Sequence, residues 1–350
     1  MNFRPLLFLS ILVVSGCSKK NDQAPAPPVP PVTPATPVTL YIAGEEFNNG
    51  LTVAKYWKDS IPVTLSDSTK QEDISAIFVS GNDVYLAGTK YSGNNPYAEY
   101  WKNGISTVLS DTPSVATSIT VSGTDVYVSG YVNDMIHSKS YARYWKNGIS
   151  VGLPSGLSNY AYPSSIAVSG SDVYVAGMII NPDSSDYIYI ARYWKNGTAV
   201  NLTDGTQTAG ASAIAVSGND VYVAGVESRP FTNGVAKYWK NGVPVVLTDG
   251  STAANLTGIF VSGNDVYASG NVNTPGNTHP VATYWKNGSA TSLGAQNSTF
   301  SQANGIAVAG SDVYVVGVED YYPVYWKNGV NLKLTPRGLN DKAMGIFIEP

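Results

Sequence analysis

From residue 38 onward the chain repeats one pattern of apolar and polar positions. Residues 213–225 (AIAVSGNDVYVAG) show it: two runs rich in β-branched residues flank a Gly-x-Asp turn. Each such segment is followed by Tyr-Trp-Lys and then, in six of seven copies, by Asn-Gly, the dipeptide favoured in two-residue hairpin turns. Asp59-Ser60 takes its place in the first copy. Short alternating runs between turn residues predict four β-strands in every unit.

The spacing of the repeats separates fixed intervals from variable ones. The tryptophans recur every 41 to 49 residues, at Trp57, Trp101, Trp145, Trp194, Trp239, Trp285 and Trp326. The Ile of the first strand precedes the Tyr of the second by eight residues, as in Ile77 and Tyr85, and each Trp precedes the Leu of the fourth strand by eight. That Tyr and the next Trp are 12 to 20 residues apart, and Leu and the next Ile 10 to 13. Two hairpins of constant length therefore alternate with two variable connections.

Seven units of four strands predict an all-β fold, a seven-bladed β-propeller with four antiparallel strands per blade. The first copy begins at residues 40–44 with a second strand, whereas the last segment, residues 343–348, is a first strand without a second. We expect these N- and C-terminal strands to pair in one blade. This pairing closes the ring and removes the exposed edges that an open array would leave.

The motif order resembles that of NHL and related bacterial propeller repeats, with Gly-Ile-Ala-Val at 305–308 followed by Asp-Val-Tyr-Val at 312–315. The resemblance covers residues 39–350 and implies that the Ile-x-Val strand is innermost and the Tyr-Trp-Lys strand third. It specifies a fold and no activity. The chain lacks the Trp-Asp terminus of WD repeats, the Gly-Gly pair of kelch repeats and the Ser-x-Asp-x-Gly-x-x-Trp box of sialidases.

The N-terminal residues predict export and a lipid anchor. Arg4 precedes an apolar run over residues 6–14, which is too short to span a bilayer and is typical of a signal peptide. Small residues before Cys17 resemble the lipobox of bacterial lipoproteins, in which the cysteine is acylated. We therefore expect a signal peptide at 1–16, a lipidated Cys17 with a Pro-rich linker at 17–38, and the propeller at 39–350. The alternative is a secreted protein with an incidental thiol.

This reading places the protein in the cell envelope, held by its lipid to a bacterial outer membrane. The charged residues at 18–22 resemble the export tether of surface lipoproteins in some Gram-negative bacteria. The periplasmic and the surface-exposed side both remain open. The membrane is the expected partner of the N-terminus, and the propeller itself is expected to be monomeric.

Composition narrows the possible chemistry. Charged residues make up 13% of the chain and the net charge is −4, which argues against nucleic acid as a partner. Two His and one Cys provide little for a zinc site, a thiol nucleophile or a His-based triad. No nucleophile elbow, P-loop or His-Glu-x-x-His motif occurs. We expect no cofactor and no metal, although carboxylates brought together by the fold remain an open route to catalysis.

Three repeated features have structural explanations. The seven Trp are expected to form the core between blades. The residue before each Tyr-Trp is expected to cover apolar surface with its stem; these residues are Lys55, Glu99, Arg143, Arg192, Lys237, Thr283 and Val324. The carboxylates of the Gly-x-Asp turns are expected to accept backbone N–H bonds rather than to hold cations; they are Asp83, Asp125, Asp172, Asp220, Asp265 and Asp312.

Strand direction predicts where a ligand binds. In an antiparallel blade the two constant hairpins share one face of the ring, and the two variable connections share the opposite face. Binding residues concentrate in loops on a rigid scaffold, so we expect the variable face to bind ligands. Its candidate residues are Tyr91, Tyr97, Tyr131, His137, Tyr160, Tyr162, Tyr187, Tyr189, Phe231, His279 and Tyr321.

A lipid-anchored binding module for a glycan or a protein is the favoured function, because the variable loops are rich in Tyr, Asn and Ser. The alternatives are a structural or assembly scaffold with protein partners only, and an extracytoplasmic polysaccharide hydrolase or lyase.

Overall fold

The computed structural model describes residues 38–48, 50–65, 69–228, 232–274, 279–295, 298–334 and 341–349, which belong to a compact unit spanning Thr36–Pro350. The predicted signal peptide, Cys17, most of the linker and Phe231 lie outside these residues. Every regular element in the described part is a β-strand. No helix there is long and apolar enough to cross a membrane.

The described residues form twenty-eight strands in seven four-stranded antiparallel sheets, as predicted. The strands are β1 (Thr39–Asn48), β2 (Leu51–Lys58), β3 (Ile61–Thr64), β4 (Glu72–Ser80), β5 (Asp83–Ser92), β6 (Asn95–Lys102), β7 (Ile105–Val108), β8 (Ser114–Ser122), β9 (Asp125–Asp134), β10 (Lys139–Lys146), β11 (Ile149–Gly152), β12 (Ala161–Ser169), β13 (Asp172–Ile180), β14 (Tyr189–Lys195), β15 (Thr198–Asn201), β16 (Thr208–Ser217), β17 (Asp220–Ser228), β18 (Val235–Lys240), β19 (Val243–Val246), β20 (Ala254–Ser262), β21 (Asp265–Asn273), β22 (Pro280–Lys286), β23 (Ser289–Ser292), β24 (Ser301–Ala309), β25 (Asp312–Glu319), β26 (Tyr322–Lys327), β27 (Val330–Lys333) and β28 (Lys342–Glu349).

The two ends of the chain complete one blade, which confirms the predicted closure. Blade 1 has the order β28-β1-β2-β3, and blades 2 to 7 each contain four consecutive strands from β4 to β27. Strand β28 pairs antiparallel with β1, with Ile346 opposite Ile42. The first strand of each blade contacts that of the next blade, and β28 contacts both β24 and β4. The chain is a seven-bladed β-propeller in which the first strands are innermost.

The tryptophans fill the spaces between blades, as the repeat pattern predicts. All seven are at most 2% exposed. Trp101 of blade 2 packs against Tyr41 and Ala43 of blade 1, so each Trp faces the preceding blade. Burying an aromatic side chain of this size contributes much of the energy of each blade interface.

A repeated glycine gives the second strand close contact with the innermost one. In blade 3 the pairing of β8 with β9 shifts register between Ala116 and Ser118, which brings the inner backbone close to Gly130. A Cβ at Gly130 would overlap the carbonyl oxygen of Val115 and lie 2.9 Å from the Trp145 ring. This position therefore excludes every side chain for lack of space.

In several blades a polar residue at the bulge of the inner strand joins neighbouring blades. Its side chain donates to a backbone carbonyl of the next inner strand: Ser75 to Ala116 (2.8 Å), Ser164 to Ala211 (2.7 Å) and Thr257 to Ala303 (2.9 Å). These bonds recur near the axis, where the inner edges of the sheets would otherwise carry unpaired carbonyls.

In several blades the residue before Tyr-Trp is buried as a whole, so that its charged end as well as its stem lies between blades. Lys55 and Glu99 are each 1% exposed, so their charged ends are not in water. Lys55 forms an ion pair with Glu46, and Lys237 with Glu227 on the neighbouring strand. These side chains lie on the Trp side of the strand, facing the preceding blade, and a buried charge there needs a partner.

Candidate functional site

The two faces of the ring carry the loops assigned to them by strand direction. Near the variable end of blade 3, the Ser140 N–H donates to the Asn159 carbonyl (3.0 Å), which joins β10 to the connection entering blade 4. In blade 4 the Asn181 amide donates to the Gly205 carbonyl (3.2 Å), which joins the β13–β14 loop to the connection leaving that blade. Variable loops of both kinds therefore meet at one end of the ring.

The constant hairpins meet at the opposite end through one repeated cluster. In blade 2 the Asn103 side chain accepts from the Val84 N–H (2.8 Å) and donates to Asp83 (2.7 Å). The ammonium of Lys102 lies 2.8 Å from Asp83 and 5.3 Å from the ring centre of Tyr85. The same contacts recur in blades 3 to 7. Each turn aspartate thus binds side chains of the other hairpin, rather than the backbone N–H groups that we expected.

Tyrosines of blades 3 and 4 form a cluster on the variable face. The Tyr131 and Tyr162 rings meet edge to face with centroids 5.2 Å apart. Tyr160 and Tyr162 are stacked at 6.5 Å with an interplanar angle of 19°. Strand alternation explains the first contact, since Tyr131 follows Gly130 and points towards β12 of the next blade. The structure therefore brings three of the predicted residues together.

A cleft of about 450 Å³ opens beside this cluster, between the connection that enters blade 4 and the β13–β14 loop. Its volume falls within the range of small-ligand sites, roughly 300–1,000 Å³. It contains Tyr160 of the cluster and one further predicted residue, Tyr187. Its lining is Leu157, Ser158, Asn159, Tyr160, Ile180, Asn181, Pro182, Ser184, Ser185 and Tyr187.

Hydrogen bonds within the two loops hold the walls of this cleft. The Ser158 hydroxyl donates to the carbonyl of Tyr160 (2.9 Å). The Asn181 side chain accepts from the Asp183 N–H (3.1 Å), and that of Ser184 accepts from the Asp186 N–H (3.1 Å). Such side-chain contacts to nearby backbone stabilise turns. These bonds restrict the conformations of the two loops, which lowers the entropic cost of binding a ligand.

Tyr187 occupies an unfavourable backbone conformation at the edge of the cleft. Its φ is 53° and its side chain is 70% exposed. Placing an aromatic residue in the left-handed region costs on the order of 1–2 kcal/mol. Asn adopts this conformation at a lower cost, and Gly adopts it without strain. Strain of this kind is concentrated at functional sites. It is retained here by a residue that directs an aromatic ring into solvent.

A second recess of about 200 Å³ adjoins the first and shares Tyr160 with it. Met135 and Lys139 line it. Ile136, the neighbour of Met135, is 87% exposed, and Leu157 of the first cleft is 86% exposed. Large apolar side chains exposed in adjacent loops are characteristic of surfaces that bind partners.

The interface between blades 1 and 2 differs from the cleft because it contains buried acidic side chains. Glu45 is 7% exposed, accepts from the Ile74 N–H (3.3 Å) and lies 3.6 Å from the ammonium of Lys342. Burial, assisted by the charge of Asp73, raises the pKa of Glu45 to about 7. The Tyr91 hydroxyl donates to Asp73 (2.8 Å), and burial together with this bond raises the pKa of Tyr91.

Two further carboxyl groups of blade 2 are buried facing blade 1. Glu99 Oε1 and Glu72 Oε2 have no hydrogen-bond partner among the described residues. Burial, and then the charge of Glu72, raise the pKa of Glu99 to about 7 against the opposing charges of Lys90 and Lys70. This interface therefore holds two carboxyl groups, those of Glu45 and Glu99, whose pKa burial raises well above the usual value.

Other candidate residues lie apart from the tyrosine cluster. Tyr97 is half-buried on β6, opposite Lys90. Tyr189 is half-buried at the start of β14. His137 is exposed, and its Nδ1 lies 2.8 Å from the Asp134 carboxylate, whose pKa this contact lowers.

The last two candidates lie in blades 6 and 7. His279 is exposed just before β22. Tyr321 is 51% exposed with a φ of 68°, and its ring stacks on Phe300 at 5.5 Å. Phe231 lies outside the described residues. In the described part of the chain no group of three or more His, Cys, Asp or Glu is placed to hold a metal ion.

Sequence reasoning missed the residues that complete the cleft. Leu157 and Asn159 line it, and neither belongs to a motif that would have marked it. Glu45 was also missed, because its burial depends on β28 and β4, which are distant in sequence. The one usable signal was the length of the Tyr174–Trp194 interval, the longest of its kind, which contains Tyr187.

No protein-family model and no curated protein matches this chain. Among solved structures, a chain of a nidogen/laminin complex shares 11% identity with a TM-score of 0.44, covering 78% of this chain and 97% of its own. TolB from Acinetobacter baumannii shares 9% identity with a TM-score of 0.42, covering 68% of this chain and 61% of its own. An acylaminoacyl peptidase from Pyrococcus horikoshii shares 11% identity with a TM-score of 0.35, covering 75% of this chain and 52% of its own. The fold assignment rests on the strand pairing described above.

Proposed function

We propose that this protein is a non-enzymatic binding module of the bacterial cell envelope, tethered by lipid at Cys17, which binds a glycan or a protein through the variable face of blades 3 and 4. The observation that supports the location is the ordered cleft beside Tyr160 and Tyr187. It combines aromatic surface with unpaired polar groups on loops fixed by internal hydrogen bonds. A preformed concave surface of this kind is the usual form of a small-ligand site.

The binding surface is tested with the full chain in detergent against two probe collections, an array of neutral and charged glycans and a phage-displayed peptide library. We expect probes bound by the full chain to be lost by the double variant Tyr160→Ala, Tyr187→Ala. The control Asn147→Ala alters a constant hairpin of blade 3 and is expected to retain them. Binding that survives the double variant, or that is lost only in the control, would contradict the proposed surface.

The tether is tested separately. Cys17→Ser removes the only thiol of the chain, so it is expected to abolish acylation and move the protein from the membrane fraction to the soluble fraction. Mass spectrometry of the parent chain checks for the lipid. Membrane association that persists in the variant, with no lipid on the parent, would show that residues 6–14 hold the protein instead.

A further inference from the structure

The chemistry of the cleft restricts its ligand. None of its ten lining residues carries a formal charge. The lining therefore offers no ion pair to a sulfate, a phosphate or a carboxylate, and no carboxylate to an ammonium group. A charged ligand would lose its hydration there without receiving a counter-ion, which is unfavourable. A neutral ligand fits the lining better.

The polar groups that remain available are few and lie next to aromatic rings. Within the described part of the chain, the side-chain amide of Asn159 and the hydroxyls of Tyr160 and Tyr187 have no hydrogen-bond partner. The Ser158, Asn181 and Ser184 side chains are engaged in the loops. The cleft thus presents two rings and a small set of donors and acceptors.

That combination matches the two sides of a sugar. The C–H bonds on the face of a pyranose ring form an apolar surface that packs against an aromatic ring, whereas the hydroxyls around its edge require hydrogen-bond partners. Amide and phenol groups donate and accept, so they can pair with hydroxyls in either sense. The strained backbone of Tyr187 points independently to a ligand, because it holds an exposed ring at a position that Asn or Gly would occupy at less cost.

We propose that this cleft binds a neutral oligosaccharide, with Tyr187 and Tyr160 as stacking surfaces and the Asn159 amide as a hydrogen-bond partner. The inference rests on the proposed function, which places the binding surface on the variable face. A peptide partner is less favoured, because the exposed Met135 and Ile136 side chains lie outside this cleft, which leaves Leu157 as the one large aliphatic side chain of its lining that is fully exposed.

The test titrates the full chain with neutral cello-, malto-, xylo- and chito-oligosaccharides by calorimetry, with polygalacturonate and heparin as charged counterparts. We expect at least one neutral series to bind, the charged polymers not to bind, and Tyr187→Asn to weaken binding by about tenfold. Because Asn tolerates the left-handed backbone, the melting temperature of this variant is expected to stay the same or rise. A merely structural Tyr187 would instead lower it.

Asn147→Ala is the control, since it changes another left-handed position, with a φ of 51°, on the constant face and outside the cleft. It is expected to leave sugar binding unchanged. If library peptides bind in a manner that depends on Tyr187 and no neutral sugar binds, the oligosaccharide proposal is wrong and the proposed surface is supported. Sugar binding that is unchanged by substitution of Tyr187 and Tyr160 would contradict both the oligosaccharide proposal and the proposed surface. If no neutral series binds, the oligosaccharide proposal is wrong.

Discussion

The constant and variable faces of the ring solve the same backbone problem with different residues. On the constant face the left-handed turn positions are filled by Asn-Gly in six blades, with the Asn side chain bonded to a turn aspartate and to the backbone of the neighbouring hairpin. On the variable face the left-handed residues include Tyr187 and Tyr321. Asn-Gly adopts the left-handed backbone with little strain, whereas the tyrosines adopt it with backbone strain. The contrast indicates that local stability governs one face and that another requirement governs the other.

Charged groups differ in the same way. The constant-face aspartates are partly exposed, and hydrogen bonds from Lys and Asn lower their pKa, as Lys102 and Asn103 do for Asp83. Exposed pairs of this kind contribute little to stability. In the interface between blades 1 and 2, burial raises the pKa of Glu45 and Glu99 to about 7. The two sets of carboxyl groups therefore respond to opposite changes of pH.

Both faces depend on the closed ring, so the largest effect is expected from opening it. Deletion of residues 342–350 removes β28, exposes the edge of β1 and uncovers Ile42, which is fully buried. We expect the free energy of unfolding to fall by more than about 4 kcal/mol, or the protein to aggregate. Urea denaturation and light scattering measure this. A truncated chain that unfolds like the parent would contradict closure by strand pairing.

The next effect concerns pH. A carboxyl group with a raised folded-state pKa binds protons more strongly in the folded protein, so its stabilising effect is present at low pH and is lost as the pH rises from about 4.5 through about 7. Glu99→Gln removes one such group. At pH 8 we expect the free energy of unfolding of this variant to exceed that of the parent by up to about 3 kcal/mol. Between pH 5 and 8 its free energy of unfolding should change less with pH than that of the parent.

The control for the pH prediction is Asp83→Asn on the constant face. The pKa of Asp83 is lowered, so its stabilising effect is present above its unfolded-state pKa and is lost only in acid. The stability of the Asp83→Asn variant is expected to change with pH between 5 and 8 as that of the parent does. Below pH 4 the variant is expected to lose less stability than the parent, because it lacks the Asp83 carboxyl group. If Glu99→Gln leaves the slope between pH 5 and 8 unchanged, burial of the Glu99 carboxyl is not the cause of that slope.

A smaller effect is expected from a constant hairpin. Asn147→Ala removes the bond from the Val126 N–H (2.8 Å) and the bond to Asp125 (2.8 Å), and places Ala at a φ of 51°. We expect a loss of about 2 kcal/mol, measured by urea denaturation, with ligand binding unchanged. Asn147→Gly keeps the permissive backbone and should lose less. Equal losses in the two variants would show that backbone conformation contributes nothing at this turn.

The fold could be predicted from the sequence because its determinants are local and repeated. The Asn-Gly turns, the Trp spacing and the half-blades at 40–44 and 343–348 fix strand number, direction and closure. The site could be predicted only in part. Its face follows from strand direction, but the contacts of Tyr131 with Tyr162 depend on packing between blades. Burial of Glu45 likewise depends on strands from both ends of the chain, and no local pattern encodes it.

The smallest net effect is expected where strain and stacking oppose each other on the variable face. Tyr321→Gly relieves a left-handed φ of 68° but loses the stacking of Tyr321 on Phe300 at 5.5 Å. Each contribution is about 1 kcal/mol, so we expect the free energy of unfolding to change by less than about 0.5 kcal/mol. In a Phe300→Ala background the stacking is already absent, and the same substitution should stabilise the protein by about 1 kcal/mol. Urea denaturation of the four proteins of this double-mutant cycle measures the coupling. Identical effects of Tyr321→Gly in both backgrounds would show that the ring of Phe300 does not compensate the strain, and the contrast between the two faces would then rest on Tyr187 alone.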